Sequence, residues 1–170
     1  IGEGDVVGRM NVIAAMIRMH ATVYDLKDMT LCYSPVYSTA KDPVNQAALV
    51  AINVLEGQLR QVHVSAVRSL VESGAYIVDV RAQGNALLAG EKVPPLPPLR
   101  ARMEEIPKDV PVYLHCRSSQ RSYYALCCLR GHGYHNLTNI SGSFLGISLY
   151  EYFHDKSEGR KPIVTAYNFD

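Results

Sequence analysis

Cys116 sits between an apolar run, Val112-Tyr113-Leu114-His115, and a polar stretch, Arg117-Ser118-Ser119-Gln120-Arg121-Ser122. The run predicts a buried strand, the polar stretch a short loop, and Tyr123-Tyr124-Ala125-Leu126 the opening of a helix. Inward-facing backbone N–H groups at the positive end of a helix bind anions and lower a thiol's pKa. Arg117 and Arg121 would add full charges, and Arg121 is expected to brace the loop. The predicted chemistry is nucleophilic. Cys116 and Arg121 are the candidate catalytic residues, and Arg117, Ser118, Ser119, Gln120 and Ser122 form a cradle for an anionic group carried on the sulfur. His115 reads as a satisfied strand-end histidine. Asp79 and Arg81 end another apolar run and are supporting candidates, as an ion pair at the site or as structure at the strand end.

A thiolate in such a loop suits two group transfers. Phosphoryl transfer by a cysteine and an arginine uses five intervening residues, whereas four separate Cys116 from Arg121. The shorter loop makes a smaller cradle, which fits a sulfur atom better than a tetrahedral phosphate. A persulfide is also more acidic than a thiol, so N–H donors and a guanidinium would hold its outer sulfur as an anion.

The chain has 170 residues, 48% hydrophobic and 19% charged, with a net charge of +1. That is enough to bury one full domain with something appended. So balanced a charge gives no electrostatic case for nucleic acid or a membrane surface. No apolar run approaches the roughly 20 residues that span a bilayer, and the first residues lack the pattern of a signal peptide. A soluble, cytoplasmic protein is expected. Cys32, Cys116, Cys127 and Cys128 form no metal-binding spacing, so no structural metal is expected. Cys127 and Cys128 fall more than about 10 Å along the helix from Cys116, too far for a disulfide, and read as core thiols.

Taken in order, Val6, Met10, Ile13, Ala14, Ile17 and Ala21 mark one face of a helix over roughly 5–20. Thr22 and Asp25 make a capping-box pair for a second helix. Leu31 to Ser38 is broken by Pro35 and presents two tyrosines, Tyr33 and Tyr37. Asp42 and Pro43 open a third helix with Val44, Ala47, Ala48, Ala51, Val54 and Leu55 as its buried face, and Gly57 ends it. Three helices without a strand partner make a weak core, so 1–57 reads as part of something larger, with 58–61 a linker. Over 62–154 strands alternate with helices. Strands are expected at 62–64, 75–80, 112–115 and 137–140, a helix capped by Ser65 over 66–72, a proline-rich loop over 81–98, a short helix at 99–105, the helix after the cysteine loop to about Leu129, and a last helix over 143–153. Apolar strands without alternation predict a parallel sheet covered on both faces, hence a three-layer α/β domain. The tail, 155–170, holds one possible strand at 163–165.

Two resemblances rest on these segments. Val64-Ser65, Ile77-Val78-Asp79-Val80-Arg81, the Cys116–Ser122 loop and Asn139-Ile140-Ser141-Gly142-Ser143-Phe144 follow the order of a rhodanese (sulfurtransferase) domain over 62–154. Where that family usually carries Gly-His-Ile-x-Gly-Ala, this chain has Leu88-Ala89-Gly90-Glu91-Lys92-Val93-Pro94-Pro95. Arg9-Met10-Asn11-Val12-Ile13-Ala14 and the stretch from Leu31 to Asn45 resemble the dimerisation domain of flavin-dependent pyridine nucleotide-disulfide oxidoreductases of the coenzyme A-disulfide reductase and NADH oxidase group. The resemblance implies the last third of such an enzyme: a helical fragment of an α+β dimerisation domain, then a rhodanese domain. It implies FAD, NAD(P)H and coenzyme A for the full-length enzyme, a homodimer, and Tyr33, with Tyr37 second, reaching the partner's flavin site. It also implies a persulfide at Cys116 that exchanges sulfur with coenzyme A or another low-molecular-weight thiol. No G-x-G-x-x-G motif occurs, so the chain alone is expected to bind neither FAD nor NAD(P)H. The alternatives are a catalytically silent rhodanese-like module that binds or dimerises, and a cysteine phosphatase.

Overall fold

Four apolar runs become β1 (Gln61–Val62), β2 (Tyr76–Asp79), β3 (Val112–His115) and β4 (Leu137–Ile140), all paired in parallel in the order β1-β4-β3-β2. A parallel pair needs a crossover, and the intervening helices supply it. They are α4 (Val67–Glu72) between β1 and β2 and α5 (Gln120–Gly131) between β3 and β4; α6 (Ser143–Glu158) follows the last strand, and helices cover both faces of the sheet. Ile77, Val78 and Asp79 of β2 are consequently buried in succession, without alternation. The computed structural model describes residues 5–32, 34, 36, 39–81, 88, 99–167 and 169. It divides into two compact units, Ile1–Leu59 and Arg60–Asp170.

In the first unit α1 (Val6–Arg18), α2 (Val23–Asp28) and α3 (Pro43–Leu55) follow their local signals. Thr22 and Asp25 form the reciprocal capping box of α2, and Asp42 accepts from the Val44 N–H at 3.0 Å to start α3 behind Pro43. Arg9 also reaches Asp42, with its Nε 3.1 Å from a carboxylate oxygen, which ties α1 to the cap of α3. The buried faces differ from the expected ones. In α1 Met16 is buried, while Met10, Ala14 and Ile17 are exposed; in α3 the buried set is Val44, Asn45, Ala48 and Ile52, while Ala47, Val54 and Leu55 are exposed. Asn45 is inside because its amide donates to the Leu26 and Met29 carbonyls at 3.0 Å, satisfying the last turn of α2.

The second unit departs from expectation at four places. Ser65 caps no helix: it lies within a 3-10 turn, Val64–Ala66, that leads into α4. The segment Leu99–Glu105 is a 3-10 helix, and α5 runs two residues beyond Leu129 to Gly131. The tail is not an appendage, since α6 continues to Glu158 and Ile163 and Val164 are buried in the core cluster with Val67, Ile77, Leu88, Ile140, Phe144 and Ile147. Among the described residues a single antiparallel bridge, Leu88 to Val164, marks the possible last strand. Side-chain bonds hold the tail instead. Arg68 pairs with the buried Glu151, with Asp155 at 2.7 Å and with the Lys161 carbonyl at 3.1 Å, and the Tyr167 hydroxyl donates to Asp155 at 2.7 Å. Burial and that carboxylate push the Tyr167 phenol up to about 12, so it remains a donor through the physiological range.

The Leu114 side chain, wholly buried on the strand that delivers Cys116, is the sensitive point of the sheet. Leu114→Ala is expected to cost about 2–5 kcal/mol, from lost burial plus the cavity left behind, read as a lower urea midpoint with the slope unchanged.

Candidate functional site

Cys116 follows the last residue of β3, at the carboxyl end of a parallel sheet, where α/β folds place their ligands. Its backbone is clamped by the start of α6. The N–H of Cys116 donates to Ser143 Oγ at 3.1 Å, its carbonyl accepts from the Phe144 N–H at 3.0 Å, and the Arg117 carbonyl accepts from the Leu145 N–H at 3.0 Å. Neither Gly142 nor Ser119, the residues preceding α6 and α5, caps its helix with a side chain, and both lie at left-handed φ, 81° and 77°. Ser143 is also left-handed, at 46°. Glycine adopts that region freely; the two serines are held there by hydrogen bonds. Ser119 Oγ donates to the Ile140 carbonyl at 3.0 Å and lies 3.2 Å from Ser143 Oγ.

The sulfur is buried, with Cys116 1% exposed, and its donors are neutral. Ser122 Oγ lies 3.5 Å from Sγ and Ser143 Oγ 3.9 Å. Burial pushes the thiol up, but the Ser122 hydroxyl, the backbone N–H groups of Ser122 and Ser118 and the Ser143 hydroxyl together outweigh it, so the pKa lies below the ordinary value. Each hydroxyl has a single proton and an alternative acceptor: Ser122 Oγ is 3.1 Å from the Ser119 carbonyl and Ser143 Oγ 3.2 Å from the Ile140 carbonyl. Both hydroxyls can therefore turn to sulfur when it becomes an anion.

Asp79 and Arg81 form a buried pair, Nε to the two carboxylate oxygens at 3.0 and 2.8 Å and a terminal nitrogen at 2.7 Å. The guanidinium stacks 4.0 Å over the Phe144 ring, whose other neighbours include His115 at 6.2 Å between centroids. The pair and His115 pack against Phe144, whose N–H donates to the Cys116 carbonyl. His115 Nδ1 lies 3.4 Å from that same carbonyl.

Arg121 does not brace the loop. Arg117, Ser118, Gln120 and Arg121 are exposed, and among the described residues neither arginine has a hydrogen-bond or ion-pair partner through its side chain. The carbonyls that a guanidinium would have held are taken by α6. Instead Ser143, a residue present in the sequence motif but given no role there, closes the cradle. Cys127 is exposed and Cys128 half-buried, so the core reading of this pair is wrong: α5 buries Ser122, Ala125, Leu126 and Leu129, a different face. Tyr33 and Tyr37 lie outside the described residues, as does the Gly-His-Ile-x-Gly-Ala equivalent apart from Leu88.

No protein-family model matches the chain. A sulfurtransferase of Allochromatium vinosum is 36% identical over 74 residues, 41% of this chain and 67% of that protein. The chain belongs to the sulfurtransferases of the rhodanese type. Two solved structures extend the likeness of this rhodanese-bearing chain over both units. The reduced CoADR-RHD of Bacillus anthracis is 36% identical with a TM-score of 0.78, covering 88% of this chain and 27% of that one. A NAD-dependent persulfide reductase from A. fulgidus is 29% identical with a TM-score of 0.73, covering 84% and 26%. The chain thus resembles the rhodanese-fused C-terminal part of a coenzyme A-disulfide reductase. It spans about a quarter of those two reductases, and 58% and 67% of the curated relatives it matches.

Alkylation of Cys116 by iodoacetamide is expected to be half-maximal below the pH of about 8.5 typical of a free thiol, and to fade as pH falls through the depressed pKa. Ser143→Ala and Ser122→Ala each move the curve upward. If both variants kept the curve of the parent protein, the hydroxyls would have no part in ionisation.

Proposed function

We propose that Cys116 carries sulfane sulfur as a persulfide, within an FAD- and NAD(P)H-dependent reductase of persulfides, polysulfides or coenzyme A disulfide. The observation that carries the reading is a cysteine whose sulfur, among the described residues, is met by neutral hydroxyl and N–H donors, while Arg117 and Arg121 are exposed and neither is among the groups that lower its pKa. Such a cradle suits a monovalent sulfur anion. A phosphate dianion would leave most of its charge unanswered there, which speaks against the phosphatase alternative.

The transfer balances without an external oxidant. The Cys116 thiolate attacks the outer sulfur of R–S–SH, the S–S bond breaks, R–SH leaves with the proton, and Cys116–S–S⁻ remains. The serine hydroxyls then follow the charge from the inner sulfur toward the outer one. Coenzyme A or another low-molecular-weight thiol is the proposed exchange partner. FAD and NAD(P)H would be held by the reductase part of the enzyme. The strand-to-helix turns of this chain carry no glycine-rich fingerprint for a dinucleotide, and no step here runs through either cofactor. Residues 1–57 are proposed to pair two copies, with Tyr33 and Tyr37 contributing across that interface; sedimentation as a monomer at micromolar concentration would count against the dimer.

Incubation with a persulfide donor is expected to add one sulfur atom, about 32 Da, to the parent chain and none to Cys116→Ser. Absence of the adduct from the parent chain would favour the silent binding module, and turnover of phosphate esters without sulfur transfer would favour the phosphatase.

A further inference from the structure

Beside the cysteine loop, between the 3-10 helix Leu99–Glu105 and α5, lies a groove of about 340 Å³ bounded by Val80, Leu99, Arg100, Arg121, Tyr124 and Cys128. Its floor is apolar and its rim is cationic. Arg100 and Arg121 are both exposed, and among the described residues no carboxylate answers either one. Two like charges facing one groove repel unless an anion sits between them. Tyr124 is 58% exposed and its hydroxyl accepts from Gln120 Nε2 at 3.1 Å, which fixes the ring as a wall of the groove. The groove is joined to the site by backbone: the Val80 N–H donates to the His115 carbonyl at 2.9 Å, one residue before Cys116, and Arg121 stands in the first turn of α5, directly after the cysteine loop.

The two regions divide the charge. The sulfur cradle offers dipoles for one anionic sulfur, while the countercharge for anything larger stands outside it, on Arg100 and Arg121. We infer that this groove is the subsite for the non-reacting, anionic end of the thiol that exchanges sulfur at Cys116, a proposal that rests on the sulfur-transfer reading. Phosphate or carboxylate oxygens meet the guanidiniums, and the apolar or ring-bearing part of the molecule lies on Leu99 and Tyr124. The acceptor thiolate R–S⁻ bonds to the outer sulfur of Cys116–S–SH, the bond to Cys116 breaks, and R–S–SH and the Cys116 thiolate result. No other reactant is needed.

The test compares three acceptors on the persulfide-loaded chain: coenzyme A, which carries phosphates; glutathione, which carries carboxylates; and pantetheine, which carries neither. Arg100→Glu is exposed and outside the cradle. It is expected to lower the second-order rate constant for an anionic acceptor about tenfold at low salt and to leave pantetheine within about twofold. Raising salt to about 0.5 M should erase most of the difference. Loss with coenzyme A alone assigns the groove to phosphate, and loss with both to anions generally. Equal loss with pantetheine, or no loss with any acceptor, overturns the subsite. If the parent chain transfers sulfur to none of them, the sulfur-transfer reading has failed, and the groove is then judged by calorimetric titration with ADP and with citrate. Binding that Arg100→Glu abolishes sustains an anion site, and absence of binding to the parent chain removes it.

Discussion

The start of α6 and the carbonyls after β3 satisfy one another, and the candidate site depends on that exchange. A helix begins with unpaired N–H groups, and a tight loop leaves carbonyls without a ladder. Here the Phe144 and Leu145 N–H groups take the Cys116 and Arg117 carbonyls. Because a trans peptide is planar, turning the Arg117 carbonyl toward α6 turns the N–H of the same peptide unit, that of Ser118, the other way, and it is one of the groups that lower the Cys116 pKa. The helix start thereby orients dipoles at a sulfur it barely touches.

α6 is held at both ends. Near its start, Phe144 is packed beneath the Arg81 guanidinium and beside His115, and Arg81 is locked to Asp79. Toward its end, Glu151 and Asp155 are buried carboxylates answered by Arg68, Arg160 and Tyr167. Buried charges add little net stability when paired and cost a great deal when a partner is removed, so such clusters favour one arrangement over near alternatives. The positions of the tail and of the cysteine loop are set by one rigid element with polar anchors on both sides.

Much of this was legible because it is local. Strand runs, the Thr22–Asp25 box, the Asp42-Pro43 start of α3 and the strand–cysteine–loop–helix order are each encoded within a few residues. The misread features are tertiary. Periodicity in α1 and α3 tells that apolar positions exist, and which of them is covered depends on partners such as Asn45, whose burial follows from the carbonyls it caps. Arg121 looked like a brace because a guanidinium in an anion loop is the commonest solution, but the needed acceptors were spent on α6. Ser143 could have been singled out by its place directly after Gly142 and before an apolar helix, where a left-handed entry brings a hydroxyl back toward the preceding strands.

The neutral cradle has a thermodynamic corollary. Hydroxyl rotors and amide dipoles respond to the presence of one negative charge and discriminate weakly between sulfur on the protein and sulfur one bond further out. If Cys116 carries sulfur as proposed, loading and unloading would differ little in free energy within the site, so neither state would be a trap. On the proposed sulfur-carrier reading, the direction of flow would be left to the concentrations and redox poise of the thiols outside, and the chain would act as a reversible buffer of sulfane sulfur whose set point belongs to its surroundings.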